Sequence, residues 1–268
     1  RISIFYLQQH VSAEEFKPTH HLYALDIDKS FGDGSWKIYY IKDKTNDEGR
    51  NIFYNFKTTN KNFYGISYLV ENKDINYMID AVFEGGYSTN NSNKKIRHKA
   101  YAYNIQASWN MRLPLIGRTK TKATFLKSSG NSKNSDIDKS FFSPFSKRYN
   151  GFERYGYGEI LKASIYDISK TTNTFTGFDE NLSGLTISSL GFDVNHKKGK
   201  ISFDYFNYKA TYTKNPLLST FIGWEYDIKY IVEMSKDVSL SITYALLTLQ
   251  QNKNNPTKLF SISIVSSF

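Results

Sequence analysis

Residues 259–268 alternate regularly between apolar and polar side chains. Phe260, Ile262, Ile264 and Phe268 occupy even positions, and serines occupy positions 261, 263 and 267 between them. A period of two residues is typical of a β-strand that has one apolar face and one polar face. The sequence therefore predicts a C-terminal strand that ends on an aromatic side chain.

The same alternation recurs along most of the chain. It is clearest in residues 2–6, 23–27, 36–40, 64–70, 75–83, 101–111, 121–125, 190–194, 201–205, 222–234 and 238–246. Together with the C-terminal segment these predict about twelve strands. The phase of the alternation slips between Tyr205 and Phe206, which predicts a β-bulge there.

The segments between these strands are of two kinds. Short turns at residues 32–34, 72–74, 114–117, 197–199 and 235–237 alternate with longer polar loops. Residues 43–60 are predicted to form a long exposed loop, or alternatively a hairpin that extends beyond the membrane. Residues 130–183 show no convincing alternation, except for a stretch around 159–166 that fits a short helix. Connections of this length are usually functional.

Membrane β-barrels have the same asymmetry, with short periplasmic turns and long extracellular loops. The pattern therefore predicts an all-β fold, a single antiparallel transmembrane β-barrel domain over residues 1–268, with 130–183 as a long extracellular loop. A soluble β-sandwich is the alternative. It would leave the polar face of residues 104–110 in solvent, whereas a wide barrel turns that face toward a water-filled lumen.

Composition narrows the possible functions. The chain has 268 residues and no cysteine, which excludes disulfides and thiolate metal sites, and its aromatic content is 16%. The chain contains no run of about 18 apolar residues, so no membrane-spanning helix is predicted. The formal net charge of +10 favours anionic partners. Nucleic acid is not expected as a partner, because no known binding module or basic helix is present.

Catalytic and metal-binding patterns are weak. His98 and nearby serines would suit a barrel lipase with its site on the lipid-facing rim, but no nucleophile-elbow pattern accompanies them. His20 and His21 are adjacent strand residues and point to opposite faces, so they cannot chelate a metal from one side. We predict no enzymatic activity, no cofactor and no metal.

Several motifs resemble known outer-membrane proteins. The C-terminal strand, with Phe260, Ile262, Ile264 and Phe268, resembles the assembly signal of bacterial outer-membrane β-barrels. The order of the other motifs resembles the alginate-export family. They are Phe-Tyr-Leu at 5–7, Ser-Gly-Asn at 129–131, Phe-Ser-Pro-Phe at 142–145, an Arg/Gly/Glu cluster at 154–159 and Asn-Leu at 181–182.

The resemblance implies a barrel of about 18 strands in the outer membrane of a Gram-negative bacterium, of which this chain is the C-terminal part. About six strands would then precede Arg1, in keeping with an abrupt start that has no signal peptide. The implied function is passive passage of an anionic polysaccharide or other anionic solutes. The implied partners are the lipid bilayer, lipopolysaccharide, the barrel-assembly machinery and possible periplasmic or envelope proteins.

One strand departs from the family pattern. Family members place arginines on the lumen face of the next-to-last strand, where this chain has Ser239, Ser241 and Thr243. The departure argues against alginate as the specific substrate, but not against a channel. A structural or adhesive barrel, or a barrel subunit of a larger envelope complex, is the alternative function.

Candidate site residues follow from the phase of the strands and from the resemblance. Lys37, Lys122 and Lys229 are predicted to face the lumen, and the resemblance places Arg148, Arg154 and Lys162 in a pore-constricting loop. The alternative is that these cations are ordinary solvated charges that balance Glu159, Glu225 and Asp227. Four aromatic residues are predicted to anchor the barrel at the membrane interfaces: Trp36, Trp109, Tyr226 and Tyr230.

Overall fold

The structure is a computed structural model that describes residues 1–10, 19–46, 56–90, 92–131, 137–141, 149–150, 153–154, 156–163, 182–213 and 215–266. Within these ranges no helix is long and apolar enough to cross a membrane. The described residues include one short 3-10 helix, Gln250–Asn252.

Twelve long strands form one antiparallel sheet in the order of the chain. The first seven are β1 Ile2–His10, β2 Thr19–Phe31, β3 Gly34–Asn46, β4 Phe56–Glu71, β5 Ile75–Asn90, β6 Lys95–Leu113 and β7 Gly117–Ser128. The last five are β11 Leu182–His196, β12 Gly199–Thr213, β13 Phe221–Glu233, β14 Val238–Leu249 and β15 Thr257–Ser266.

Three short strands lie between β7 and β11. Strand β8, Ile137–Asp138, pairs in parallel with β6, while β9, Tyr149–Asn150, and β10, Glu153–Arg154, pair with each other. The predicted all-β antiparallel fold and the number of long strands are confirmed. The sheet order begins at β1 and ends at β15, and no ladder joins these two strands among the described residues. The expected total of about 18 strands stays a prediction.

The sheet has two chemically different faces, which we call outer and inner. On the outer face of β6, Tyr101, Ile105 and Trp109 are exposed, whereas Asn104, Gln106 and Ser108 lie on the inner face. The outer face exposes large apolar side chains on nearly every strand, for example Ile4, Leu190 and Phe260. Residues 156–163 pack on the inner face. The sheet therefore exposes an apolar outer face and has a polar inner face that residues 156–163 cover in part, whereas a soluble β-sandwich buries its apolar face.

Two predicted element boundaries were wrong. Residues 43–46 and 56–60 are not loop but extend β3 and β4 as a hairpin, the alternative for this stretch, and Asp43 pairs with Lys61 and Thr45 with Thr59. Their polar side chains concealed the strand signal, although the backbone pairing continues. Residues 47–55 lie outside the described part of the chain. The stretch 159–163 is a turn, closed by a bridge between Tyr157 and Ala163, and not the start of a helix. The rest of the predicted helix, 164–166, is not described.

The predicted β-bulge lies on a different strand. The register between β12 and β13 shifts where Tyr208 pairs with Gly223 and Lys209 with Phe221, so Ile222 is the extra residue. The bulge turns Ile222 into the buried apolar cluster of the inner face, although its sequence phase placed it on the outer face. Residues 205 and 206 keep regular pairing.

Candidate functional site

The site with the most developed geometry is formed by residues 156–163, which we call the inward segment, and the inner face of β12 and β13. Hydrogen bonds to neighbouring strands hold the start of the connection that follows β7. The Ser128 hydroxyl accepts a hydrogen bond from the Leu185 N–H at 2.9 Å, and the Ser129 hydroxyl accepts one from the Tyr101 N–H at 2.8 Å. The Asn131 N–H donates to the Ser183 hydroxyl at 2.8 Å. The Ser-Gly-Asn motif therefore fixes the start of the long connection to β6 and β11.

Two carboxylates on β13 hold the inward segment through its backbone. The Ile160 and Leu161 N–H groups donate to Glu225 Oε1 and Oε2 at 2.5 and 3.1 Å, and the Glu159 N–H donates to Asp227 Oδ2 at 2.9 Å. Glu225 is 0% exposed. Consecutive N–H groups in a turn form a concavity that suits carboxyl oxygens as acceptors. The turn is therefore shaped to bind these carboxylates.

Backbone conformation makes this turn possible. Gly158 has φ +85°, and an added Cβ would lie 2.3 Å from the Tyr208 hydroxyl and 2.5 Å from Glu225 Oε2. Lys162 adopts φ +46° at the other end of the turn, a conformation uncommon for non-glycine residues. A side chain at Gly158 would therefore clash with the groups that bind the segment.

Tyr208 connects the carboxylates to the segment from β12. Its hydroxyl lies 2.9 Å from the Tyr157 carbonyl oxygen and 3.2 Å from Glu225 Oε2, within donating distance of both. Tyr157 reaches β6, where its hydroxyl accepts a hydrogen bond from Gln106 Nε2 at 2.8 Å. An apolar cluster surrounds this network: Leu126, Leu161, Ala163, Leu185, Ile187, Phe206, Ala210, Ile222 and Leu247. The inward segment thus crosses the inner face from β6 to β13 and is held by buried polar and apolar contacts.

Two of the six predicted pore cations form ion pairs in the described part of the chain. Lys229 Nζ lies 3.2 Å from Glu159 Oε1 of the inward segment. Lys122 Nζ lies 2.8 Å from Asp193 Oδ1 and 2.9 Å from Asp204 Oδ1. These two lysines therefore fit the alternative in which the cations are balanced by neighbouring carboxylates.

The remaining candidate cations are spread out. Lys37 is exposed on the inner face of β3, directly opposite Asp28, far along the sheet from β13. Lys162 is half-buried within the inward segment. Arg154 lies in β10, but its side chain is outside the described part, as is the whole of Arg148. Lys162 and Lys229 are thus brought to one site, and Lys37 and Lys122 are not.

A second buried polar cluster joins β4, β5 and β6. Lys61 Nζ lies 2.7 Å from Glu84 Oε1, and His98 Nδ1 lies 3.8 Å from the same oxygen. Ser88 Oγ lies 2.7 Å from His98 Nε2. The arrangement resembles a hydrolase triad, but Ser88 is completely buried and the cluster lies on the inner face, not on the outer rim where a barrel lipase would need it. Its geometry suits a structural role, in which buried polar contacts link β4, β5 and β6. Among the described residues no group of His, Asp and Glu is arranged to hold a metal ion.

The outer face carries the predicted anchors. Trp36 and Trp109 are 44% and 41% exposed, and Tyr226 is also exposed. Tyr230 is half-buried and stacks with His196 at 5.7 Å between ring centroids. Phe260, Ile262 and Ile264 are exposed on the outer face of β15, and Phe268 lies outside the described residues. Their role at membrane interfaces and in assembly stays a prediction.

Comparison with known proteins identifies no family. No family model matches the chain, and no curated protein matches it. The resemblance to the alginate-export family therefore stays a prediction.

Two solved structures are similar to the chain at low scores. The NanC porin is similar over 100% of this chain and 98% of its own length, with 7% identity and a TM-score of 0.40. The β domain of the Bordetella autotransporter BrkA is similar over 100% of this chain and 97% of its own, with 11% identity and a TM-score of 0.30. At such scores, function has to be argued from the residues of this chain.

Proposed function

We propose that the chain forms the wall of a β-barrel in the bacterial outer membrane and acts as a passive channel for anionic solutes, including an anionic polysaccharide. The supporting observation is the exposed apolar outer face opposite a polar inner face. An exposed apolar surface of this extent marks a site of contact with a membrane or a partner. The apolar surface continues over neighbouring strands, which favours contact with a membrane over contact with a partner protein.

The height of the apolar band supports this proposal. On β6 the outer apolar side chains run from Tyr101 to Met111. At about 3.4 Å per residue these positions cover roughly 34 Å along the strand, and a tilt of about 45° reduces this to roughly 24 Å. The apolar band of outer-membrane barrels is about 25 Å tall. The strand length therefore suits a spanning strand.

The inner face supports a narrowed channel. The inward segment covers the half of β12 and β13 that lies toward the long connection, and it would constrict a lumen there. The net charge of +10 favours anions, and weak repeated contacts suit a polymer better than one tight site. Lys122 and Lys229 contribute less to this preference, because carboxylates pair with them. On this proposal residues 130–183 form the extracellular loop.

The test is ion conduction by the full chain reconstituted in a planar bilayer. We expect stepwise ion currents whose reversal potential in a potassium chloride gradient indicates preference for chloride. The same preparation after heat denaturation serves as the control. Absence of current from protein shown to be inserted, or a reversal potential of the opposite sign, would refute the anion channel.

A structural or adhesive barrel is the second candidate. The observation that favours it is the inward segment itself, because buried carboxylates and an apolar cluster hold it in place. In this candidate the fixed segment closes the lumen, whereas in the channel it narrows it. Inserted protein without current would support this candidate.

A further inference from the structure

Two arginines face each other across the sheet near the end that carries the short turns. Arg112 of β6 and Arg118 of β7 are direct partners in the strand register, and both are exposed. Both lie on the inner face. Arg112 has the same even-numbered phase on β6 as Asn104, Gln106 and Ser108, and Arg118 has the same phase on β7 as Lys122 and Leu126. Lys120 is the next inner position on β7. Three cations therefore occupy adjacent inner positions.

These cations differ from three of the inner-face lysines, although the exposed Lys37 of β3 also makes no ion pair among the described residues. Lys61, Lys122 and Lys229 each make an ion pair at 3.2 Å or less. Within the described part of the chain, no ion pair involves Arg112, Arg118 or Lys120.

The surroundings do not neutralise the three charges. Asp193 is opposite Lys120 in the register, but its oxygens lie 2.8 Å from Lys122 and 3.6 Å from Lys200. Asn195 is opposite Arg118. The adjoining turns at residues 114–116 and 197–198 contain no acidic residue. The turn on the other side of β6 carries the exposed Asp74, whose backbone carbonyl accepts a hydrogen bond from the Asn110 N–H, but its carboxylate makes no ion pair with the three cations in the described part of the chain. Like charges directly opposite each other on a sheet are destabilising. The arrangement is therefore unfavourable unless an anion lies between the arginines.

We propose that Arg112, Arg118 and Lys120 form a binding site for an oxyanion group, a carboxylate, phosphate or sulfate, at the turn-end mouth of the barrel. Guanidinium groups bind such groups through two parallel hydrogen bonds, and a bound anion converts the repulsion between the arginines into attraction. The location at a pore mouth rests on the proposed function. The binding of an anion by the three side chains does not.

Thermal unfolding of the full chain folded into phosphatidylcholine vesicles tests the site. In low salt without phosphate, we expect Arg118→Gln to raise the unfolding temperature by about 1–3 °C, because it removes one like-charge pair. Inorganic phosphate should raise the unfolding temperature of the unmodified protein and leave that of Arg112→Gln/Arg118→Gln unchanged. Lys73→Gln/Lys236→Gln removes the same charge from two turns at this end and should respond to phosphate like the unmodified protein.

Two outcomes would overturn the site. One is an equal response to phosphate in the arginine variant and the unmodified protein. The other is a response that requires phosphatidylglycerol vesicles and is absent with free phosphate, since the ligand would then be a lipid headgroup outside the inner face.

Conduction separates this site from the proposed function. If the site lies at a pore mouth, the chloride preference should fall several-fold in Arg112→Gln/Arg118→Gln and stay unchanged in Lys73→Gln/Lys236→Gln. Phosphate stabilisation without any current would uphold the site and refute the channel. Current with unchanged selectivity, together with no stabilisation by phosphate, would refute the site and leave the channel standing.

Discussion

Glu225→Ala is expected to lower the free energy of unfolding by about 3–5 kcal/mol, the range for removing one member of a buried charged network. The Ile160 and Leu161 N–H groups would lose their acceptor, the first in a half-buried and the second in a buried position, and an unsatisfied buried donor costs about 1–3 kcal/mol. The Tyr208 hydroxyl would keep only the Tyr157 carbonyl oxygen. Denaturant unfolding of the protein folded into lipid vesicles measures this change.

A matched control lies on the same strand. Glu233 is an exposed inner-face carboxylate near the end of β13, and its side chain makes no hydrogen bond or ion pair within the described chain. Glu233→Ala should change stability by less than about 0.5 kcal/mol. Equal effects of the two substitutions would contradict the role given to Glu225. Release of the inward segment should also raise the single-channel conductance of Glu225→Ala above that of Glu233→Ala.

Ile66→Arg is expected to cost about 2–4 kcal/mol in a lipid bilayer, because its side chain lies on the outer face between Tyr64 and Tyr68. Ile66 is 40% exposed, and on a water-covered surface the same substitution would change stability by about 0.5 kcal/mol or less. The two environments therefore give clearly different results for one substitution.

Ser67→Arg is the control for this substitution. Ser67 is the next residue, on the inner face, directly opposite Asp80 and Lys37 on the neighbouring strands. An arginine there stays in water and faces both a carboxylate and a lysine, so attraction and repulsion largely offset each other and we expect a change below about 1 kcal/mol. Similar small costs for both substitutions in vesicles would show that the outer face does not contact lipid.

The strands were predictable because a sheet with two different faces imposes a two-residue period on the sequence. Residues 43–46 and 56–60 were not recognised as strand residues, because Asp43, Lys61 and their neighbours give a buried inner face a polar composition. The β-bulge at Ile222 was also missed. A bulge is decided by pairing across two strands, and the phase of one strand does not reveal its partner.

The candidate site was predictable only in part. Phase groups Lys122 and Lys229 with the polar face of their strands, but it cannot tell which carboxylates lie beside them. Glu225 and Asp227 are visible in the sequence as two acids on one face of a strand. Their hydrogen-bond donors are backbone N–H groups of residues 159–161, which carry no side-chain signal. Only the fold brings these groups together.

The central claim is that the outer face of the sheet lies in a membrane, and the three tryptophans of the chain test it directly. Trp36 and Trp109 are exposed on the outer face, and Trp224 shares the outer parity of Tyr226 and Ile228 on β13. In vesicles of brominated phosphatidylcholine, we predict that tryptophan fluorescence falls strongly relative to unbrominated vesicles, with little quenching by aqueous iodide. Fluorescence that is insensitive to the brominated lipid and quenched by iodide would contradict the claim.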